Sequence, residues 1–190
     1  RRRTGTDSPC RQTVGVSDGP CRVAKSSAKR SGKSLWPGKS RRKKEDEWKI
    51  GTLNVRGMKN KEEELVKEMN ERKIQILCVT ETKLKGEGEK VLSNGSLLIF
   101  SGVKDGCPRQ GVGMIVSECV KNHVRNYEWI SPRILLVRIT YKSLNLLLLA
   151  CYAPVDSECM EIKNEFWDLL DDTLRMKDKD EKVMLLGDMN

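Results

Sequence analysis

Four apolar runs in this chain each stop on polar residues, and that repeated pattern restricts the fold more than any other feature. Trp48–Val55 carries Thr52 and Asn54 and runs into Arg56 and Gly57. Ile74–Thr80 is followed by Glu81, Thr82 and Lys83; Asn145–Tyr152 by Ala153 and Pro154; and Lys182–Leu186 by Gly187, Asp188, Met189 and Asn190. Runs of this length read as strands, and the almost continuously apolar Ile74–Thr80 as one covered on both faces. Polar side chains at strand tips are placed to touch a metal or a phosphate, and four such tips in one chain define a candidate site.

The segments between them fill in a layered α/β domain over residues 48–190. Lys61–Arg72 reads as a helix with Leu65, Val66 and Met69 on one stripe. Leu97–Ser101 and Gly111–Ser117 read as short strands separated by the turn-rich Lys104-Asp105-Gly106-Cys107-Pro108. Ile134–Tyr141 and Asn145–Tyr152 form a hairpin around Lys142-Ser143-Leu144. After Pro154, the spacing of Ile162, Phe166, Leu169, Leu170 and Leu174 predicts an amphipathic helix whose stripe is core. Trp129 and Trp167 are expected to pack, the single histidine His123 to lie on the surface, and Lys177–Lys182 to be a solvated loop.

Charge divides the chain differently. The 190 residues carry a net +9, yet residues 1–44 hold 14 basic and two acidic residues, a net +12. The remainder holds 22 basic and 25 acidic residues, a net −3. Residues 1–47 are rich in Arg, Lys, Ser, Gly and Pro, with too few apolar residues to offset the entropy of ordering, and read as a disordered basic tail. Such an arm suits nucleic acid, and Arg41-Arg42-Lys43-Lys44 suits nuclear import, with an inert basic linker as the equal alternative. Seven cysteines form no C-x-x-C pair, so neither a disulfide-linked partner nor a zinc site is expected. The longest purely apolar stretch is far too short to span a membrane.

A hard divalent cation such as Mg²⁺, with Mn²⁺ as a substitute, takes one or two carboxylates and keeps several waters. Glu81 is the natural ligand at the end of a buried strand. Asp188 is placed to orient or deprotonate water, Asn54 and Asn190 to donate amide hydrogens, and Tyr152 to donate a phenolic hydrogen. Taken singly, Glu81 and Asp188 read better as ordinary solvated acids at strand ends; their joint order with Asn54 and Tyr152 favours an inherited site.

These motifs resemble a family. Thr52-x-Asn54-x-x-Gly57, Thr80-Glu81-Thr82-Lys83, Gly111-Val112-Gly113, Tyr152-Ala153-Pro154 and Gly187-Asp188-x-Asn190 are similar to the endonuclease/exonuclease/phosphatase superfamily, the DNase I-like fold. Within it they look like the endonuclease domains of non-LTR retrotransposons and their domesticated relatives. The resemblance covers Trp48–Asn190. It implies a four-layered α/β sandwich and Mg²⁺-dependent hydrolysis of DNA. It also implies metal ligation by Glu81, phosphate or acid positioning by Asn54, a transition-state contact from Tyr152, and water activation by Asp188 with Asn190 beside it.

Arg56 stands where apurinic-site endonucleases of this pattern carry an acid, which favours the retroelement branch. The family's closing Ser-Asp-His-type motif has no counterpart in these 190 residues, and no initiator Met is present. The chain is therefore read as a truncated domain, poorly soluble and inactive alone. Two alternatives stand beside the endonuclease: a nuclear, DNA-associated protein that keeps the fold without the chemistry, and a phosphoesterase of the same superfamily acting on a lipid or inositol phosphate.

Overall fold

The computed structural model describes residues 12–15, 47–106 and 109–190. Among these residues, ten strands form two sheets. The first sheet contains β1 (Gln12–Gly15), β2 (Lys49–Asn54), β3 (Ile76–Thr80), β4 (Glu87–Val91), β5 (Leu97–Ser101) and β6 (Val112–Val116), in the spatial order β1-β2-β3-β6-β5-β4. The second contains β7 (Val124–Ser131), β8 (Ile134–Tyr141), β9 (Leu144–Tyr152) and β10 (Glu181–Asp188), in the order β10-β9-β8-β7. Helix α1 (Glu62–Arg72) follows β2, the short α2 (Glu118–Lys121) follows β6, and α3 (Met160–Arg175) joins β9 to β10.

Strand alternation explains how these stack into four layers. Ile76 and Cys78 of β3, Leu135, Val137 and Ile139 of β8, and Leu146, Leu148 and Ala150 of β9 meet between the sheets. The opposite faces use the intervening residues. Leu77 and Val79 pack with Leu65, Val66 and Met69 of α1, while Leu147, Leu149 and Cys151 pack with Phe166 and Leu170 of α3. β3 and β9 are buried on both faces, which is why they read as unbroken apolar runs. Each fully buried aliphatic side chain contributes about 1.5–3 kcal/mol, so the two helices are held by these stripes.

The order helix, sheet, sheet, helix is the expected sandwich. Within it, the structure differs from the sequence reading in several places. Gln12–Gly15, inside the segment expected to be disordered, pair antiparallel with β2, from Gln12 opposite Thr52 to Gly15 opposite Lys49. The rest of residues 1–46, including Arg41–Lys44, lies outside the described residues, as do Cys107 and Pro108 of the expected turn. β4 and β7 are additional edge strands. Trp129 and Trp167 are 38% and 49% exposed rather than packed inside. Trp167 meets Phe166 edge-on, and Trp129 meets Tyr127 edge-on. His123 is half-buried, its ring 4.9 Å from that of Tyr141 and 5.9 Å from that of Trp48. Glu181, assigned to a solvated loop, is buried and pairs with Arg138 at 3.2 Å.

One topological feature positions the site. Each sheet contains one parallel pair, β2 with β3 and β9 with β10. In register, Asn54 lies opposite Thr80 and Asp188 opposite Tyr152, so each pair ends at a common level. β10 packs across the interior against β2 and β3. The carboxyl ends of both pairs therefore meet at one rim of the sandwich.

Candidate functional site

Backbone conformation aims the residues at that rim. Along β3, Ile76, Cys78 and Thr80 face the space between the sheets, so strict alternation would turn Glu81 toward α1. Glu81 instead adopts φ +52°, with Lys83 at +54° and Arg56 at +47° across from it. Left-handed backbone at non-glycine residues costs of order 1–3 kcal/mol each and persists only when the surroundings enforce it. Here they do. The N–H of Gly57 donates to Glu81 O at 2.7 Å, that of Met58 to Thr82 O at 2.8 Å, and that of Thr82 to Gly111 O at 3.0 Å. Gly111 is required at its position, because φ is +132° and a Cβ would lie 2.4 Å from Thr82 Oγ1. The kink brings the Glu81 carboxylate into the space between the sheets.

There it bonds to two of the four other expected residues, Asn54 and Tyr152, and Asn54 links it to a third, Asp188. Asn54 Nδ2 donates to Glu81 Oε1 at 2.7 Å and lies 3.2 Å from Asp188 Oδ2. The Tyr152 hydroxyl donates to Glu81 Oε1 at 3.3 Å. Arg56 N–H donates to Asn54 Oδ1 at 3.1 Å, which fixes the amide so that its nitrogen points at the two carboxylates. Asn190 sits one step away. Its backbone N–H donates to Asp188 Oδ1 at 3.1 Å, and its side-chain amide donates to Ala153 O. Asn190 thus holds Asp188 and the β9 end rather than meeting Glu81.

Burial raises the Tyr152 phenol above its ordinary pKa, and the Glu81 carboxylate adds to the effect. Tyr152 is accordingly a hydrogen-bond donor at neutral pH. Arg133 opposes this from the other side, its guanidinium 5.4 Å from the centre of the Tyr152 ring, within cation–π range. Arg133 was not found from sequence. Its Nη1 donates to Tyr152 O at 3.2 Å and Ala153 O at 3.3 Å, and its Nη2 pairs with Glu158 at 3.4 Å. It sits in the turn between β7 and β8, where no motif marks it; the clue is an arginine beside Pro132 directly before the apolar start of β8, Ile134–Val137.

The donor set fits a hard divalent cation. Oε1 of Glu81 takes both hydrogen bonds, leaving Oε2 facing Lys83 Nζ at 3.9 Å. Among the described residues no three His, Cys, Asp or Glu side chains cluster. Two carboxylates with amide and phenol donors suit Mg²⁺, which keeps most of its shell for water and substrate. His123 packs with Trp48 and Tyr141, not with this group.

Known proteins show the same architecture. Across 146 residues, 76% of the chain, the sequence is 31% identical to craniofacial development protein 2 of Bos taurus, and the match covers 24% of that protein. The chain thus spans about a quarter of the curated relatives it matches. An AP endonuclease from Archaeoglobus fulgidus superposes with a TM-score of 0.55 at 22% identity, covering 75% of this chain and 57% of that one. The 3′ phosphatase NExo from Neisseria, bound to a product DNA hairpin, superposes with a TM-score of 0.53 at 17% identity, covering 73% and 56%. No protein-family model matches.

Proposed function

We propose that this chain is a member of the DNase I-like endonuclease/exonuclease/phosphatase superfamily, a reading supported by its relatives and its fold, and that it supplies metal- and phosphate-binding residues of a divalent-cation-dependent DNA endonuclease of retrotransposon origin. One observation carries the reading: the Asn54 amide joins the Glu81 and Asp188 carboxylates at 2.7 and 3.2 Å, with the Tyr152 hydroxyl on the same Glu81 oxygen. Four side chains from two sheets converge with no structural task that apolar residues would not perform better.

Mg²⁺ held at Glu81, or Mn²⁺ in its place, would supply charge neutralisation at the phosphate. The protein groups do the rest. Tyr152, kept protonated, donates to a phosphate oxygen as negative charge grows on it. Asn54 places one amide hydrogen on each of the two carboxylates and so sets their separation beneath the phosphate. Asp188 accepts a proton from the attacking water as the phosphorus–oxygen bond to the departing group breaks. Asn190 fixes Asp188 through its N–H. The DNA-bound Neisseria phosphatase of the same fold supports a nucleic-acid substrate. The basic segment of residues 1–44 supports one too and, through Arg41–Lys44, a nuclear location.

The test is direct binding. Mn²⁺ titrated into the chain should give an electron-paramagnetic signature of a bound ion, weakened roughly tenfold or more by Glu81→Gln. In the protein that carries this chain, the same change should abolish Mg²⁺-dependent nicking of supercoiled plasmid while the melting temperature holds. Equal Mn²⁺ affinity for the chain and its Glu81→Gln variant would overturn the assignment.

A further inference from the structure

Tyr152 belongs to two places at once. Its hydroxyl lies in the carboxylate cluster, and the residue also lines a separate cavity of about 490 Å³. That cavity is bounded by Val103 and Gln110 on the first sheet's side, by Pro132 and Arg133 in the turn between β7 and β8, and by Ile162 and Phe166 on α3. Its volume falls within the range of small-ligand sites, roughly 300–1,000 Å³, so it can admit one nucleoside and excludes a duplex.

Its chemistry is that of a planar, hydrogen-bonding guest. Phe166 and Ile162 present an apolar face, and Val103 and Pro132 stand among the other walls. Polar groups occur between them: Ser131, Glu165 and the Gln110 amide, whose Oε1 is buried without a hydrogen-bond partner among the described residues. Two cations complete the lining. Arg133 is held by Glu158, while Arg109 is exposed and makes no ion pair among the described residues. Ile162 is 38% exposed although it lies on the apolar stripe of α3, because this part of the helix overhangs the cavity.

Resting on the proposed function, we propose that this cavity is a subsite for one unstacked nucleoside of the DNA strand whose adjoining phosphate is handled at Glu81, Asn54 and Tyr152. Tyr152 links the two compartments, so a base seated here fixes which phosphate reaches the carboxylates. Apolar and aromatic walls recover the stacking that the base loses on leaving its neighbours, and Arg109 faces the strand's backbone charge.

The experiment uses the ¹⁵N-labelled 190-residue chain with chelator present, followed by amide chemical shifts. The probes are deoxyadenosine 5′-monophosphate, deoxyribose 5-phosphate, inorganic phosphate, and a duplex with one bulged adenosine beside its fully paired counterpart. The nucleotide and the bulged duplex should move the amides of Val103, Ile162 and Phe166, and the other three probes should not. Ile162→Trp, at a partly exposed position, should fill the cavity and weaken that binding about tenfold; Glu165→Trp, from an exposed position, should do the same. Glu81→Gln should leave these shifts intact, which separates this subsite from the metal reading. Unmoved cavity amides alongside intact Mn²⁺ binding would overturn the subsite and leave the metal reading standing. Equal shifts with deoxyribose phosphate would overturn base recognition, and binding of the mononucleotide but not the bulged duplex would overturn the strand-borne guest.

Discussion

Asn54 Nδ2 lies 2.7 Å from Glu81 Oε1, although 27 residues and a whole helix separate the two in sequence. The same nitrogen reaches Asp188, 134 residues away, at 3.2 Å. A single neutral amide thus sits between two carboxylates that would otherwise repel. Its orientation is imposed by the Arg56 N–H on its oxygen, so the loop after β2 sets the geometry of the site.

Replacing Asn54 with Leu should therefore expose the repulsion. We expect a loss of about 1–2 kcal/mol in urea unfolding, the cost of removing one shared donor from partly buried acceptors. Mg²⁺ should restore part of that loss, because a ligand that binds only the folded form stabilises it by mass action. A variant as stable as the parent, and equally indifferent to Mg²⁺, would remove Asn54 from the site.

Arg133 invites a different measurement. Arg133→Met strips donors from two carbonyls and leaves Glu158 without its partner, which should cost about 2–4 kcal/mol. Arg133→Lys should recover little, since an ammonium cannot fork to Tyr152 O, Ala153 O and Glu158 together. A double-mutant cycle with Glu158→Gln isolates the pair, with an expected coupling of about 0.5–1 kcal/mol. No measurable coupling would mean that Glu158 is a bystander.

Much of this architecture was legible because its strands are buried on both faces. β3 and β9 read as unbroken apolar runs, and the stripes of α1 and α3 matched the helices that cover them. The cluster of Asn54, Glu81, Tyr152 and Asp188 was legible because every member stands at a strand tip. What escaped notice is explained by edges and turns. β4 reads Glu-Gly-Glu-Lys-Val, with no apolar alternation; it forms because Gly88 leaves room for the Phe100 ring opposite, and its charges suit an exposed edge. β7 carries two register shifts, which break its period. Arg133 has no local pattern, since its role depends on β9 and α3 folding beside it.

Gly187 offers a test of the β9–β10 pairing. Its φ is +128°, and a Cβ there would lie 1.9 Å from Cys151 O. Gly187→Ala should destabilise by roughly 3 kcal/mol or more, combining backbone strain with a backbone clash. Gly86→Ala is the control: its φ is +70° but nothing lies within 4 Å of the new methyl, so about 1 kcal/mol is expected. Similar costs at both positions, read from chemical denaturation, would refute the close approach of the two strands.

The basic segment predicts salt dependence. Exchanging Lys39, Arg41, Arg42, Lys43 and Lys44 for Gln in the full chain should flatten the dependence of DNA affinity on salt. Every phosphate that the variant leaves unneutralised should reduce the slope by about 0.9 on logarithmic axes. The change should be the same for unrelated duplex sequences. An unaltered slope would show that these cations do not touch DNA.

Alkaline titration probes Tyr152. Its phenol is raised above the ordinary value by burial and then by Glu81, so the folded protein retains that proton to higher pH than the unfolded chain does. Between the unfolded and folded values the unfolded state binds fewer protons, and stability falls as pH rises. The contribution is complete below about pH 10, where a free tyrosine begins to ionise, and is lost as pH climbs through the folded value. Cys151, pushed up to about 12 by burial, adds a decline of the same sign that begins lower, at the ordinary thiol value. Comparing Tyr152→Phe with the parent in urea unfolding across this range isolates the tyrosine. The phenylalanine variant should lose less stability above about pH 10; parallel curves would place the Tyr152 hydroxyl outside the influence of the Glu81 carboxylate.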